Sequence, residues 1–317
     1  MFSTPILLVV FNRPEYTKKV FEQIRMIRPT TLFIAADGPR PDRADDEEKC
    51  AEVRRIVSNI DWPCEVHKLF REKNIGFRDC VRLAFDWFFE NVEAGIILED
   101  DGLPHPSFFR FASEMLEKYR DNDKVMMITG NNFLPDIKMD TSYFFSRYYS
   151  IWGWASWRRA WKKYDFEMKS WAQKENKDKV KAFYSQKYMQ DRTKKMFDEI
   201  YPGPPKTWDT QWLYACLIND GFCITPSVNI VSNIGLDGVH SEGHNQNIPT
   251  RDLYGTEFRN PNTIEECAEY DNTFYTRNLQ PPPFSLKREI LKILFQSAVW
   301  KKILRPIYHF ALPKRAT

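Results

Sequence analysis

Gly95-Ile96-Ile97-Leu98-Glu99-Asp100-Asp101-Gly102 is the stretch whose reading decides the fold. A short apolar run ends abruptly in three acidic residues. Ile and Leu fill both side-chain parities, so the run reads as a strand buried on both faces. The carboxylates then stand at the strand's C-terminal end, the edge at which open α/β sheets bind ligands. Three adjacent carboxylates repel one another unless a cation, hydrogen bonds or water offset the charge. A hard divalent cation does this well, and Mg²⁺ or Mn²⁺ keeps water and substrate phosphates in its shell. The stretch therefore predicts a metal–diphosphate site at a strand end. A solvated acidic loop is the plainer alternative.

Upstream, Pro5–Phe11 reads as a buried first strand. It ends at Asn12-Arg13-Pro14, where Pro14 suits a first helical turn. Val20, Phe21, Ile24 and Ile27 recur at helical spacing. Thr31–Ala36 is a second strand, ending at Asp37-Gly38-Pro39, and Glu47–Ile60 a second helix. Cys64–Phe70 is a third strand, and Phe77, Val81, Phe85, Phe88 and Phe89 mark another helix. Downstream, Pro106 opens a further helix and Val125–Thr129 a further strand. This alternation predicts a mainly parallel sheet flanked by helices. If the strands are neighbours, Asn12-Arg13, Asp37 and the acidic triplet meet at one edge. No Gly-x-Gly-x-x-Gly follows the first strand, which disfavours a dinucleotide fold and a P-loop.

The second half is less regular. Ser150–Trp157 is dense in Trp around Gly153, either a rigid aromatic wall for a sugar ring or core packing. Residues 162–198 are charged and helix-prone with few apolar anchors, and read as a solvated helical excursion or lid. Trp208-Asp209-Thr210-Gln211-Trp212 opens a helix, where Asp209 is either an N-cap or a functional carboxylate. Phe222–Pro226 is a short strand, and a polar, Gly-rich loop then carries His240, a candidate metal or phosphate ligand.

The 317 residues carry a net charge of +3 and are 43% hydrophobic, enough for a sizeable core. The balance implies no nucleic-acid partner. Its distribution is uneven: residues 284–317 hold eight Lys/Arg and one Glu, which leaves the first 283 at −4. That segment follows Pro281-Pro282-Pro283. It reads as a basic amphipathic helix over 284–312, suited either to an anionic membrane surface or to packing on the body or a second copy. The six cysteines lack CxxC spacing, against a zinc cluster or disulfide framework. With no secretory n-region and no run of ~20 apolar residues, the expected location is cytoplasmic, peripheral on the inner face of the membrane if the tail binds there.

Taken in order, these motifs resemble the GT-A glycosyltransferases, and most of all bacterial relatives of the N-acetylglucosaminyltransferase that initiates hybrid N-glycans. Leu98-Glu99-Asp100-Asp101 with Pro106-Ser107-Phe108-Phe109 is similar to that family's acidic motif and following helix. Trp208-Asp209 is similar to its catalytic segment. The resemblance implies a GT-A domain over residues 1–280, with a donor-binding half (1–130) and an acceptor and catalytic half (140–260), before a Pro-rich linker and tail (281–317). It implies transfer from a nucleotide-sugar donor, a UDP-sugar favoured, with Mn²⁺ or Mg²⁺. Asp101 would ligate the metal, with His240 matching loosely. Asp100 would hold the ribose or the metal's water shell. Phe11, Arg13, Asp37 and Arg78 would line the nucleotide, with Trp154 also on the donor side. Asp209 would be the general base of an inverting reaction, with Glu99 the fallback. The acceptor would be a glycan, lipid-linked if the tail meets a membrane, as in surface polysaccharide or lipopolysaccharide assembly. Two other readings are a nucleotidyltransferase acting on sugar phosphates and a non-catalytic glycan- or membrane-binding protein.

Overall fold

The computed structural model describes residues 1–203, 207–235, 248–253 and 257–279. The predicted tail and His240 lie outside them. Residues Met1–Asn278 form one compact unit.

The chain alternates as the sequence predicts. β1 (Ile6–Val10), α1 (Pro14–Ile27), β2 (Thr31–Ala36), α2 (Asp46–Ser58), β3 (Glu65–Phe70), α3 (Phe77–Asn91) and β4 (Ala94–Glu99) form the first half. β5 (Gly102–Pro104), α4 (Pro106–Lys118), β6 (Val125–Thr129), β7 (Tyr143–Ser146), β8 (Trp154–Trp157) and α5 (Arg158–Trp161) follow. A 3-10 turn (Lys169–Ala172), α6 (Lys174–Phe183), α7 (Lys187–Ile200), α8 (Asp209–Ile218), β9 (Phe222–Pro226), β10 (Val231–Asn233) and α9 (Ala268–Phe274) complete the unit.

The main sheet runs β3-β2-β1-β4-β8-β6-β9-β7. β3, β2, β1 and β4 pair in parallel. β8 is antiparallel to both β4 and β6, so β6 runs with β4. β9 is parallel to β6, and β7 is reversed. The fold is thus α/β with a mostly parallel sheet.

Each strand's two parities feed different helical layers, as the two-residue period of a strand requires. Ile6, Leu8, Ile96 and Leu98 pack with Val20, Phe21 and Ile24 of α1, Val53 of α2 and Phe108 of α4. Leu7, Val9 and Ile97 pack with Val81, Phe85 and Phe88 of α3 and Trp212 of α8. Pro14 stands in the first turn of α1, and Arg28 ends it in the left-handed region, its N–H donating to the Ile24 carbonyl.

Two expectations are corrected here. The donor-side role expected of Trp154 is one: of the two readings of the Trp-rich stretch, core packing holds for Trp154 and Trp157, which lie on β8 inside the sheet, while Trp152 stays half-buried. Trp154 is fully buried, ringed by Phe85, Trp161, Trp208 and Trp212. Its ring faces are used by the core, so Trp154 offers no surface to a donor. The second correction concerns residues 162–198. Trp171, Val180 and Phe197 are buried, and Trp171 and Phe197 meet each other and Tyr214 of α8 edge-on. Few apolar anchors suffice because aromatic ones bury large areas each.

Candidate functional site

The strand order places β2, β1 and β4 side by side. Their C-terminal ends therefore present Asp37, Phe11–Arg13 and Glu99–Asp101 along one edge.

The acidic cluster is built by the two-residue alternation of β4 and then by a turn. Leu98 faces α1 and α4, so Glu99 falls on the face of α3 and α8. Its carboxyl is pushed well above the ordinary carboxylate range. Burial is the main cause, and Asp101, Asp100 and Asp209 add repulsion. Asp100 is raised to about 7 by burial first and Asp101 second, against lowering by Arg13 and the Phe11 backbone. Asp101 turns toward Arg13, whose Nη1 donates to Oδ2 at 2.7 Å and lies 3.7 Å from Asp100 Oδ1. Arg13, just past β1, is the cation that offsets this cluster.

The segment after β10 closes on the same point. β10 pairs with β5, and the Ile234 N–H donates to the Asp101 carbonyl at 2.8 Å. A Cβ on Gly235 would lie 2.5 Å from Asp101 Oδ2 and 2.9 Å from Arg13 Nη1. Only glycine lets the backbone approach the ion pair so closely. Nothing in the motif reading singled out Gly235. His240 lies five residues on, outside the described residues.

Asp209 begins α8. It does not cap the helix: the capping position belongs to Trp208, and no side-chain bond closes it. Instead Asp209 Oδ1 is buried without a hydrogen-bond partner, and the carboxylate is close enough to Glu99 to repel its charge. The helix start is pinned from two sides. The Tyr164 hydroxyl donates to the Trp208 carbonyl at 2.9 Å, and the Tyr149 hydroxyl to the Asp209 carbonyl at 3.3 Å. Neither tyrosine carried a sequence signal, since each acts through a backbone contact distant in the chain.

The remaining predicted residues fall nearby but are already engaged. Asp37 is buried and accepts from the backbone N–H groups of Gly38, Ile75 and Gly76 at 2.9–3.1 Å. It shapes the turn that leads into α3. Arg78, in the first turn of α3, pairs with Asp79 and lies over the Phe166 ring. Phe11 is half-buried, with the Arg40 guanidinium 5.3 Å from its ring centre. Arg40 also bonds Asp46, holding that carboxyl down at about 2 with help from Asn12.

Hard oxygen donors suit Mg²⁺ or Mn²⁺, and one or two protein carboxylates with substrate phosphates are an ordinary shell for such ions. Asp101, partly accessible, and Asp100 behind it fit that half-site. Among the described residues no three acidic, His or Cys side chains converge as a complete metal cage.

Comparison with protein-family models and with curated proteins gives no match. Among solved structures, the chain is similar to an apo UDP-glucose pyrophosphorylase (TM-score 0.35, 8% identity, 71% of this chain and 90% of that one). It is also similar to a UDP-glucose pyrophosphorylase complexed with UDP-glucose (TM-score 0.27, 12% identity, 47% and 64%). Scores this low carry no argument about activity, and the fold assignment stands on the sheet topology. No described helix is long and apolar enough to cross a membrane.

Proposed function

We propose that this chain is an inverting, metal-dependent glycosyltransferase of the GT-A type. It moves a sugar from a nucleotide-sugar donor, a UDP-sugar by preference, to a hydroxyl of a glycan or lipid-linked glycan in bacterial surface polysaccharide or lipopolysaccharide assembly. One observation carries the reading: the unpartnered, buried carboxylate oxygen of Asp209 stands beside the acidic end of β4. A buried polar atom left without a partner is costly unless something else binds it. An incoming hydroxyl group is such a partner.

In this scheme the acceptor oxygen attacks the anomeric carbon as Asp209 takes its proton. The bond from that carbon to the phosphate oxygen breaks, and its electron pair leaves with the diphosphate. One carboxylate suffices for inversion, as in glycoside hydrolysis with the acceptor in place of water. Asp101, backed by Asp100, would hold the divalent cation, which supplies Lewis-acid stabilisation of the departing diphosphate. Arg13 adds positive charge at the same edge. Phe11 and the Asp37-shaped turn would border the nucleotide, with Arg78 on the helix beyond.

The test compares Asp209→Asn and Asp101→Ala with wild type. UDP plus Mn²⁺ should raise the melting temperature of wild type and Asp209→Asn but not of Asp101→Ala. Transfer by Asp209→Asn should fall ~10²-fold or more. Undiminished transfer removes Asp209 as base. Pyrophosphate release from UTP and a sugar phosphate would instead assign nucleotidyl transfer.

A further inference from the structure

Four aromatic rings form a continuous strip that begins at the acidic edge. Trp152 and Phe133 meet edge-to-face at 5.7 Å. Phe133 meets Phe274 at 5.8 Å, and Phe274 meets Tyr148 at 4.8 Å. All four are half-buried, so each is held by the fold yet keeps part of its surface in solvent. The strip is anchored where the chemistry is proposed. The Trp152-Gly153 backbone lies against Gly102, the residue after Asp101: a Cβ there would be 3.5 Å from Gly153 N and 3.8 Å from the Trp152 carbonyl carbon.

Beneath the strip is a small cavity lined by Phe133, Tyr148, Tyr149, Thr225 and Phe274, about 10 Å³ in volume. That is room for one water-sized group and no more. Thr225 is 2% exposed, and its hydroxyl has only the weak Cys223 thiol beside it and no oxygen or nitrogen hydrogen-bond partner. Tyr149, on the same wall, donates to the Asp209 carbonyl. The cavity is thus one side chain from the proposed base.

We infer that the Trp152–Phe133–Phe274–Tyr148 strip is a saccharide subsite, taking a pyranose ring of the acceptor with one of its hydroxyls in the cavity against Thr225. A pyranose offers an apolar C–H face to aromatic rings and a rim of hydroxyls to polar groups, and this surface pairs the two. A lipid or an apolar helix would satisfy the rings but leave the Thr225 hydroxyl unmatched. The inference rests on the transferase reading, and names where its acceptor binds.

The experiment uses the full chain with saturating UDP and Mn²⁺. Methyl glycosides of glucose, galactose and N-acetylglucosamine are titrated to 100 mM and followed by saturation-transfer NMR. At least one should bind wild type saturably. Phe274→Leu should weaken it by about tenfold, in line with a single aromatic contact. Thr225→Val should weaken it comparably while leaving the melting temperature equal or higher, because the buried hydroxyl it removes has only a weak thiol beside it. A merely structural Thr225 would show the thermal effect without the binding loss. The melting shift with UDP and Mn²⁺ reports on the donor side. If it persists while no glycoside binds, or while both variants bind as wild type does, this inference is wrong and the donor reading stands. If wild type lacks that shift, the transferase reading falls and takes this inference with it. Phosphatidylglycerol vesicles competing where glycosides do not would overturn it in favour of a membrane-facing surface.

Discussion

Asp271 on α9 should make the protein less stable as pH rises from about 4 to about 7. The carboxylate is buried, with 8% of its surface exposed. It accepts from the Ser146 hydroxyl at 2.5 Å and the Arg147 N–H at 3.0 Å, which ties α9 to the end of β7. The groups facing it are Glu266, which raises its pKa, and Arg147, which lowers it. Burial is the largest effect, and the net result lifts the carboxyl from 3.8 to about 6. The folded state therefore binds more protons than the unfolded chain between those values. Stability from this group is full below the unfolded pKa and is lost as pH rises through the folded one. Two units at 1.36 kcal/mol each make about 3 kcal/mol in all, of which about 2 falls between pH 4.5 and 7.5. The assay is urea unfolding of wild type and Asp271→Asn across that range. Subtracting the two curves cancels the other carboxylates. The wild-type advantage should shrink, or its deficit grow, by about 2 kcal/mol toward pH 7.5. A flat difference, or one rising with pH, would mean that the two hydrogen bonds outweigh burial and that the reasoning is wrong.

Phe197→Ala should cost about 3–5 kcal/mol in urea unfolding, as for a core ring; a cost below about 1 kcal/mol would restore residues 162–198 to a loosely attached lid. Gly235→Ala should push Asp101 and Arg13 apart, since its Cβ would meet both side chains. Its melting temperature should stay within a few degrees of wild type, while the thermal shift with UDP and Mn²⁺ is lost; an undiminished shift would separate Gly235 from the site. Gly95→Ala places a Cβ 2.3 Å from Phe88 Cζ and 2.9 Å from the Pro5 carbonyl, an overpacking that should cost about 1–3 kcal/mol. The midpoint of chemical unfolding reads it directly.

The face on which each catalytic candidate lies follows from alternation in β4. Ile97 packs with α3 and α8, Leu98 with α1 and α4, and Glu99 then points back toward Asp209. Once α8 is known to cover that face, the meeting of two acids 110 positions apart is a consequence of strand period. The sequence could place Glu99 at a strand end but could not say which helix would lie over it.

Local chemistry determined the first half of the protein. Strands with both parities apolar, Pro14 at a helix start and an abrupt acidic end to β4 each act through neighbours a few residues away, so they are legible in one dimension. The second half depended on pairing across long separations. Trp154–Trp157 became an interior strand because β8 pairs with both β4 and β6, which decided between sugar wall and core at those residues. The exposed aromatics were drawn instead from Phe133, Tyr148, Trp152 and Phe274, which no single window of sequence contains. The sequence left Asp209 between a helix cap and a functional carboxylate, and only the structure shows that Trp208 holds the capping position and that Asp209 Oδ1 is buried, unpaired and beside Glu99. The repulsion between these two carboxylates depends on distance through space, which chain order alone does not fix.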